Sequence, residues 1–145
     1  MSTTVTEERV SPFRWNAGAW FGSQLGGTLW LLVGSGVLLT RSPLASSAWA
    51  ASFALANALG IVLWASRARL GMHAALQILL VGIGLAGLAS VAAADWCGQL
   101  PALTTGSPNP RLTAYGALLV IPGMMVLFWF KERLGRTANG GRAQP

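Results

Sequence analysis

The sequence predicts an all-α integral membrane bundle of four transmembrane helices, over residues 17–39, 48–66, 72–94 and 112–130, with both termini on the same side. Three observations predict it. Only 10% of the 145 residues are charged, against about 25% in a soluble domain. Those charges leave residues 15–40, 42–66, 70–94 and 112–130 without Asp, Glu, Lys or Arg, and roughly 20 helical residues cross about 30 Å of hydrocarbon. With both termini cytoplasmic, Arg9, Arg14, Arg67, Arg69, Lys131, Arg133, Arg136 and Arg142 lie inside and only Arg41 and Arg111 outside, as the positive-inside rule requires. The runs are continuously apolar and rich in Ala, Leu and Gly instead of alternating, which argues against strands.

Each element follows from these gaps. Residues 1–14 are polar and read as a cytoplasmic N-terminal tail; 15–130 form the transmembrane domain. The first helix ends at Arg41-Ser42-Pro43, an outer turn where proline suits a helix boundary. Ala48-Trp49-Ala50 resembles a signal-peptidase site, but the preceding apolar run is too long for a signal h-region, so the first helix is expected to be retained. Arg67-Ala68-Arg69 forms a tight inner turn between the second and third helices. The longest loop, DWCGQLPALTTGSPNPR, precedes the fourth helix, in which Pro122 is expected to cause a kink. Residues 131–145 read as a basic cytoplasmic tail. Trp15, Trp64 and Trp129 fall near the inner surface and Trp49 and Trp96 near the outer, the expected aromatic belts; Trp20 and Trp30 lie deeper and call for a packing role. Arg67-x-Arg69-Leu70-Gly71 and Lys131-x-Arg133-Leu134-Gly135 hint at a duplicated hairpin.

The polar residues within the spans set the remaining expectations. At about 100° per residue, Gly18, Gly22 and Gly26 share one face of the first helix and Gln24, Thr28 and Ser35 another. Glycines let a neighbouring backbone approach, and the amide and hydroxyls can bond across to another helix. The first helix is therefore expected to be central and gripped on two sides, with Ala50, Ala54 and Ala58 as a matching small-residue face on the second. Gln24, Thr28, Asn57 and Gln77 lie at similar depth and are expected to form one buried polar layer. At the outer end Arg41, Asp95, Arg111 and Tyr115 can form an ion-paired cap. His73 and Asp95 sit at opposite ends of the third helix, about 33 Å apart at helical rise, too far to share a proton.

No expected span carries Asp, Glu, Lys or Arg, and ion-coupled carriers usually keep an ionisable residue within the membrane. The sequence holds no His/Cys/carboxylate cluster for a metal, no nucleophile–base arrangement and no phosphate-cradling loop. Neither an enzyme activity nor a cofactor or metal is expected, and nothing supports nucleic-acid binding. The lone Cys97 says nothing about redox compartment. Nine arginines to one lysine, with the Ala and Gly content, is the usage of GC-rich bacterial genomes, so a bacterial plasma (inner) membrane is the expected location. The expected partners are the bilayer, anionic lipids at the inner rim, and either a membrane protein or a second copy of the chain. The expected role is a non-catalytic accessory, assembly or scaffold subunit, or a homo-oligomer, working through helix contacts. The alternative is a small channel or facilitator for a neutral or weakly polar solute, lined by the polar layer.

Overall fold

A computed structural model describes residues 15–140. The expected N-terminal tail, 1–14, and the last five residues lie outside the described part. The described residues form helices and turns with no strand: α1 (Ala17–Leu38), α2 (Pro43–Ala65), α3 (Met72–Trp96), the short α4 (Leu100–Leu103), α5 (Pro110–Ala117) and α6 (Val120–Gly140). Three helical stretches are long and apolar enough to cross a membrane: Pro43–Ala65, Met72–Trp96 and Pro110–Lys131. This suggests a membrane protein. At 22 residues α1 has the length, about 33 Å at helical rise, but Gln24, Ser23, Thr28 and its glycines dilute its apolar character and it is not one of the three.

Local chemistry sets the boundaries. The Asn16 side chain caps α1 by accepting from the Ala19 N–H at 3.0 Å. Ser42 caps α2 through the Ala45 N–H at 3.3 Å, with Pro43 in the first helical position, where a missing N–H costs nothing. The helix therefore starts at 43, not at the expected 48: Ser42-Pro43 is a start signal and not a turn. Asn109 and Pro110 repeat the device at α5, where Asn109 accepts from Leu112 N at 3.1 Å.

The expected kink in the last helix lies a turn before its proline. Pro122 has no N–H to give to the Leu118 carbonyl, and its ring crowds that carbonyl. The Ile121 N–H takes the Leu118 carbonyl instead at 3.1 Å, and Leu119 N reaches Gly116 O at 3.0 Å. These i to i−3 bonds separate α5 from α6 at Leu118–Leu119. Beyond it α6 continues past the expected end at 130 and runs to Gly140, through two thirds of the stretch expected to be a tail.

The helices run alternately up and down. α1 packs on α2, α2 on α3, and the α5–α6 segment on α3. Their contact faces mix small and polar residues with a few large apolar ones: Trp20, Gln24, Thr28, Leu31, Gly34, Ser35 and Leu38 on α1; Ala45, Ser46, Trp49, Ser52, Ala56, Gly60 and Leu63 on α2. Leu25, Leu29, Val33, Leu55, Ile61, Val62 and Leu85 point outward. Aliphatic residues cover the outside while serines, glycines and amides share the inside with a few leucines, the arrangement of helices that associate by close packing and hydrogen bonds as well as by apolar contact. Trp49, expected in an outer belt, is instead 4% exposed and central to one of two core clusters, with Leu31, Leu38, Val91 and Leu100. The second cluster holds Trp20, Ala56, Leu63, Leu79 and Ile83.

Glycines at the helix crossings are filled from opposite. The Trp49 ring lies where a Cβ on Gly34 would be, and Leu59 does the same at Gly82. Trp30 and Leu118 both close on Gly87, at 3.1 and 3.0 Å from a Cβ position there. Gly36, by contrast, faces open space. Overpacking of this kind costs about 1–3 kcal/mol. Gly34→Ala should therefore lower the thermal unfolding midpoint in detergent micelles, while Gly36→Ala leaves it unchanged. Equal midpoints for the two variants would show that Trp49 is not seated against α1.

Candidate functional site

The polar chemistry of the chain gathers between α1 and α2, on the α1 face that continues from the Trp20 cluster toward Leu31. Gln24 is 2% exposed. Its Nε2 donates to the Asn57 carbonyl at 2.8 Å and to Asn57 Oδ1 at 3.0 Å. Asn57 Nδ2 donates back to Thr28 Oγ1 at 3.1 Å and to the Phe53 carbonyl at 2.8 Å. Thr28 Oγ1 donates to the Gln24 carbonyl one turn earlier, at 2.9 Å. The Asn57 amide thus bridges two turns of α1, and each side chain fixes the next.

Two neighbours complete the layer. The Trp20 indole N–H donates to the Gly60 carbonyl at 3.1 Å. Gly60 itself makes room for the Gln24 amide, which occupies the position of a Cβ there. Gln24 Oε1 is buried in this contact without a hydrogen-bond partner. An unmet buried acceptor costs about 1–3 kcal/mol.

Of the four residues expected in this layer, Gln24, Thr28 and Asn57 come together. Gln77 does not: its Nε2 reaches the Met125 carbonyl at 3.3 Å and ties α3 to α6. A second polar clasp escaped the sequence reading in part. Ser35 and Ser46 exchange bonds, each hydroxyl donating to the other's carbonyl, at 3.0 and 2.9 Å. Ser35 had been placed with Gln24 and Thr28, but Ser46 sits in a stretch read as turn, so its pairing had no signal.

The glycine and alanine faces are placed otherwise than expected. Gly18, Gly22 and Gly26 are exposed, with open space beyond Gly22 and Gly26. Within the chain α1 is gripped along Gln24, Thr28 and Gly34 and not along these glycines, and it stands at the edge of the row instead of its centre. Ala54 and Ala58 are exposed and Ala50 half-buried; α2 meets its neighbours through Trp49, Ala56 and Gly60. Gly116 and Gly123 also have nothing within 4 Å of a Cβ position.

At the far end Arg111 Nε donates to Asp95 Oδ1 at 2.9 Å, and Tyr115 OH to Oδ2 at 3.4 Å. The Arg111 side chain is 75% exposed, so the pair contributes at most about 1 kcal/mol. Arg41 is exposed in the α1–α2 turn and makes none of these contacts. Among the described residues no group of three His, Cys, Asp or Glu side chains is placed to hold a metal ion.

The chain matches no protein-family model, and comparison with curated proteins and with solved structures finds no match. The reading of this site therefore rests on its geometry. Interhelical side-chain bonds in membranes average about 0.6 kcal/mol and reach about 1.7. A double-mutant cycle of Gln24→Leu with Asn57→Leu, followed by detergent unfolding, should give a coupling in that range. A coupling of zero would mean that the two amides do not bond.

Proposed function

We propose that the chain is a four-span integral membrane protein that works through lateral helix contacts, as an accessory, assembly or scaffold subunit or as a homo-oligomer. In this reading α1 is a fourth span beside the three apolar ones, and its Gln24 and Thr28 are tolerated because α2 meets their hydrogen bonds. Both termini are cytoplasmic, which puts Arg67, Arg69, Lys131 and Arg133 at the inner face of a bacterial plasma membrane. The reading is non-enzymatic.

One observation carries it. Gly34, Gly60, Gly82 and Gly87 each receive a side chain from an opposing helix, whereas Gly22 and Gly26 face open space. A glycine stripe at i, i+4 and i+8 lets a second helix come close, and among the described residues no helix uses it. Gly116 and Gly123 on the last segment are equally open, so both flanking helices offer faces to a neighbour. The channel alternative draws less support, since Gln24, Thr28 and Asn57 spend most of their bonding on one another and leave little to line a path.

Gly26→Leu should shift the affinity-purified species to smaller mass in native mass spectrometry, while the protomer keeps its unfolding midpoint. An unchanged assembly mass in Gly22→Leu and Gly26→Leu alike would defeat the proposal. A solute flux in liposomes that disappears in Gln24→Leu would transfer the case to the channel.

A further inference from the structure

The end of the molecule carrying Arg67 and Arg69 has a feature that helix docking does not explain. Trp64, at the last turn of α2, is held in an aromatic cluster. Trp15 meets it edge-on with ring centroids 5.5 Å apart, Phe21 lies at 5.4 Å, and Trp15 in turn lies tilted against Trp20 at 5.0 Å. The Arg67 guanidinium lies over the Trp64 ring, 4.9 Å from its centroid, and its Nη1 donates to the Trp64 carbonyl at 3.1 Å. An arginine in an exposed turn ordinarily samples many rotamers. Here one flat face is covered by indole and one nitrogen is anchored to the backbone, while the residue stays exposed. Arg69, two residues on, is exposed in the same turn. The last helix repeats the pairing at the same end: the Arg133 guanidinium lies 4.2 Å from the Trp129 centroid, with Lys131 exposed beside it.

Just inward of both arginines the surface is apolar. Ile61 and Val62 lie about one turn and a half below Arg67, and Val126, Leu127 and Phe130 lie below Arg133; all are exposed. A fixed cation at a helix end, with exposed aliphatic side chains one to two turns inward along the same helix, matches a molecule with a phosphate at its head and hydrocarbon beneath. Guanidinium suits phosphate because its planar edge offers paired N–H donors. A quaternary ammonium headgroup could also seek the indole face, but arginine already covers it and repels a second cation.

We propose that Arg67, fixed on Trp64 and assisted by Arg69, holds the phosphate of an anionic phospholipid whose chains lie along Ile61 and Val62, and that Arg133 on Trp129 forms a second such seat. This rests on the membrane location in the proposed function and not on the docking role.

The test is native mass spectrometry of the full chain in detergent micelles containing equal amounts of phosphatidylglycerol and phosphatidylcholine. Wild type should retain phosphatidylglycerol preferentially, and each arginine removed should reduce that preference about fivefold. Arg67→Gln with Arg69→Gln should lower the preference to what the Arg133 seat alone retains. Arg67→Lys, which keeps the charge, should retain part of the preference and guards against misfolding of the double variant. Arg41→Gln, at the opposite end, should change nothing. An undiminished preference in the double variant, or none in wild type, overturns the inference. Displacement of phosphatidylglycerol by an equal concentration of inorganic phosphate also overturns it, in favour of a free-anion site. Incorporation of wild type into vesicles separates the two readings: a chain that enters the bilayer without headgroup preference refutes this inference alone, and one that does not enter refutes the membrane reading as well.

Discussion

Trp49 joins three helices, and the rest of the structure depends on that junction. Its ring occupies the space over Gly34 on α1, and its indole N–H donates to the Ser90 carbonyl on α3 at 2.6 Å. Trp30 then stands edge-on against it at 5.5 Å and reaches Gly87 of α3. No aliphatic residue could do this, because the contact needs a large flat body to fill a backbone crossing and a donor to bond a distant carbonyl. The constraint behind it is general. Where the outer surface of a helix is already leucine and valine, burying more leucine gains little over lipid, and helices associate by approaching closely and by hydrogen bonding. Trp49 does both in one side chain; at Gly60 the two tasks are divided, with Trp20 donating to its carbonyl and the Gln24 amide filling the space of a Cβ.

The polar layer follows from the same constraint. Gln24, Thr28 and Asn57 are unfavourable toward hydrocarbon, and their mutual bonds make α1–α2 the pairing in which they are tolerated. Register is thereby specified: slipping α1 by one residue would turn Gln24 outward and leave Asn57 without Thr28. The layer is also incompletely satisfied, since Gln24 Oε1 lies buried against Gly60. That residue pair is bound together sterically as well as chemically, because the glutamine fits only where the opposite position has no Cβ.

What was legible in the sequence, and what was not, divides along a physical line. Charge gaps marked out four spans, three of which are apolar enough to cross a membrane, with breaks near Arg41, near Arg67 and just beyond Asp95, because a buried unpaired charge is costly whichever way a helix is rotated. The grouping of Gln24 with Thr28 and Asn57 was also readable, since polar side chains at equal depth have few alternatives. Rotation about the helix axis was not readable. In a soluble helix the apolar stripe marks the inner face, but here both faces are apolar and the stripe vanishes. Hence Trp49 was assigned to a belt by depth, the Gly18–Gly22–Gly26 face was expected to meet a helix of the same chain, and Gln77 was expected to join Gln24 although it faces α6. The start of α2 was missed for a different reason: Ser42-Pro43 is compatible with a turn and with a cap, and only the Ser42 to Ala45 bond distinguishes them.

The last segment leans on α3, with the break at Leu118–Leu119 just where Leu118 closes on Gly87. The contacts that bind α1, α2 and α3 to one another lie within the stretch from Trp15 to Leu103, before that segment begins. During synthesis, therefore, the three-helix core can be completed while the final hydrophobic stretch is still emerging from the ribosome. That stretch then arrives at an assembled surface, on a helix whose break lets its two halves settle separately, and it needs no rearrangement of what is already in place.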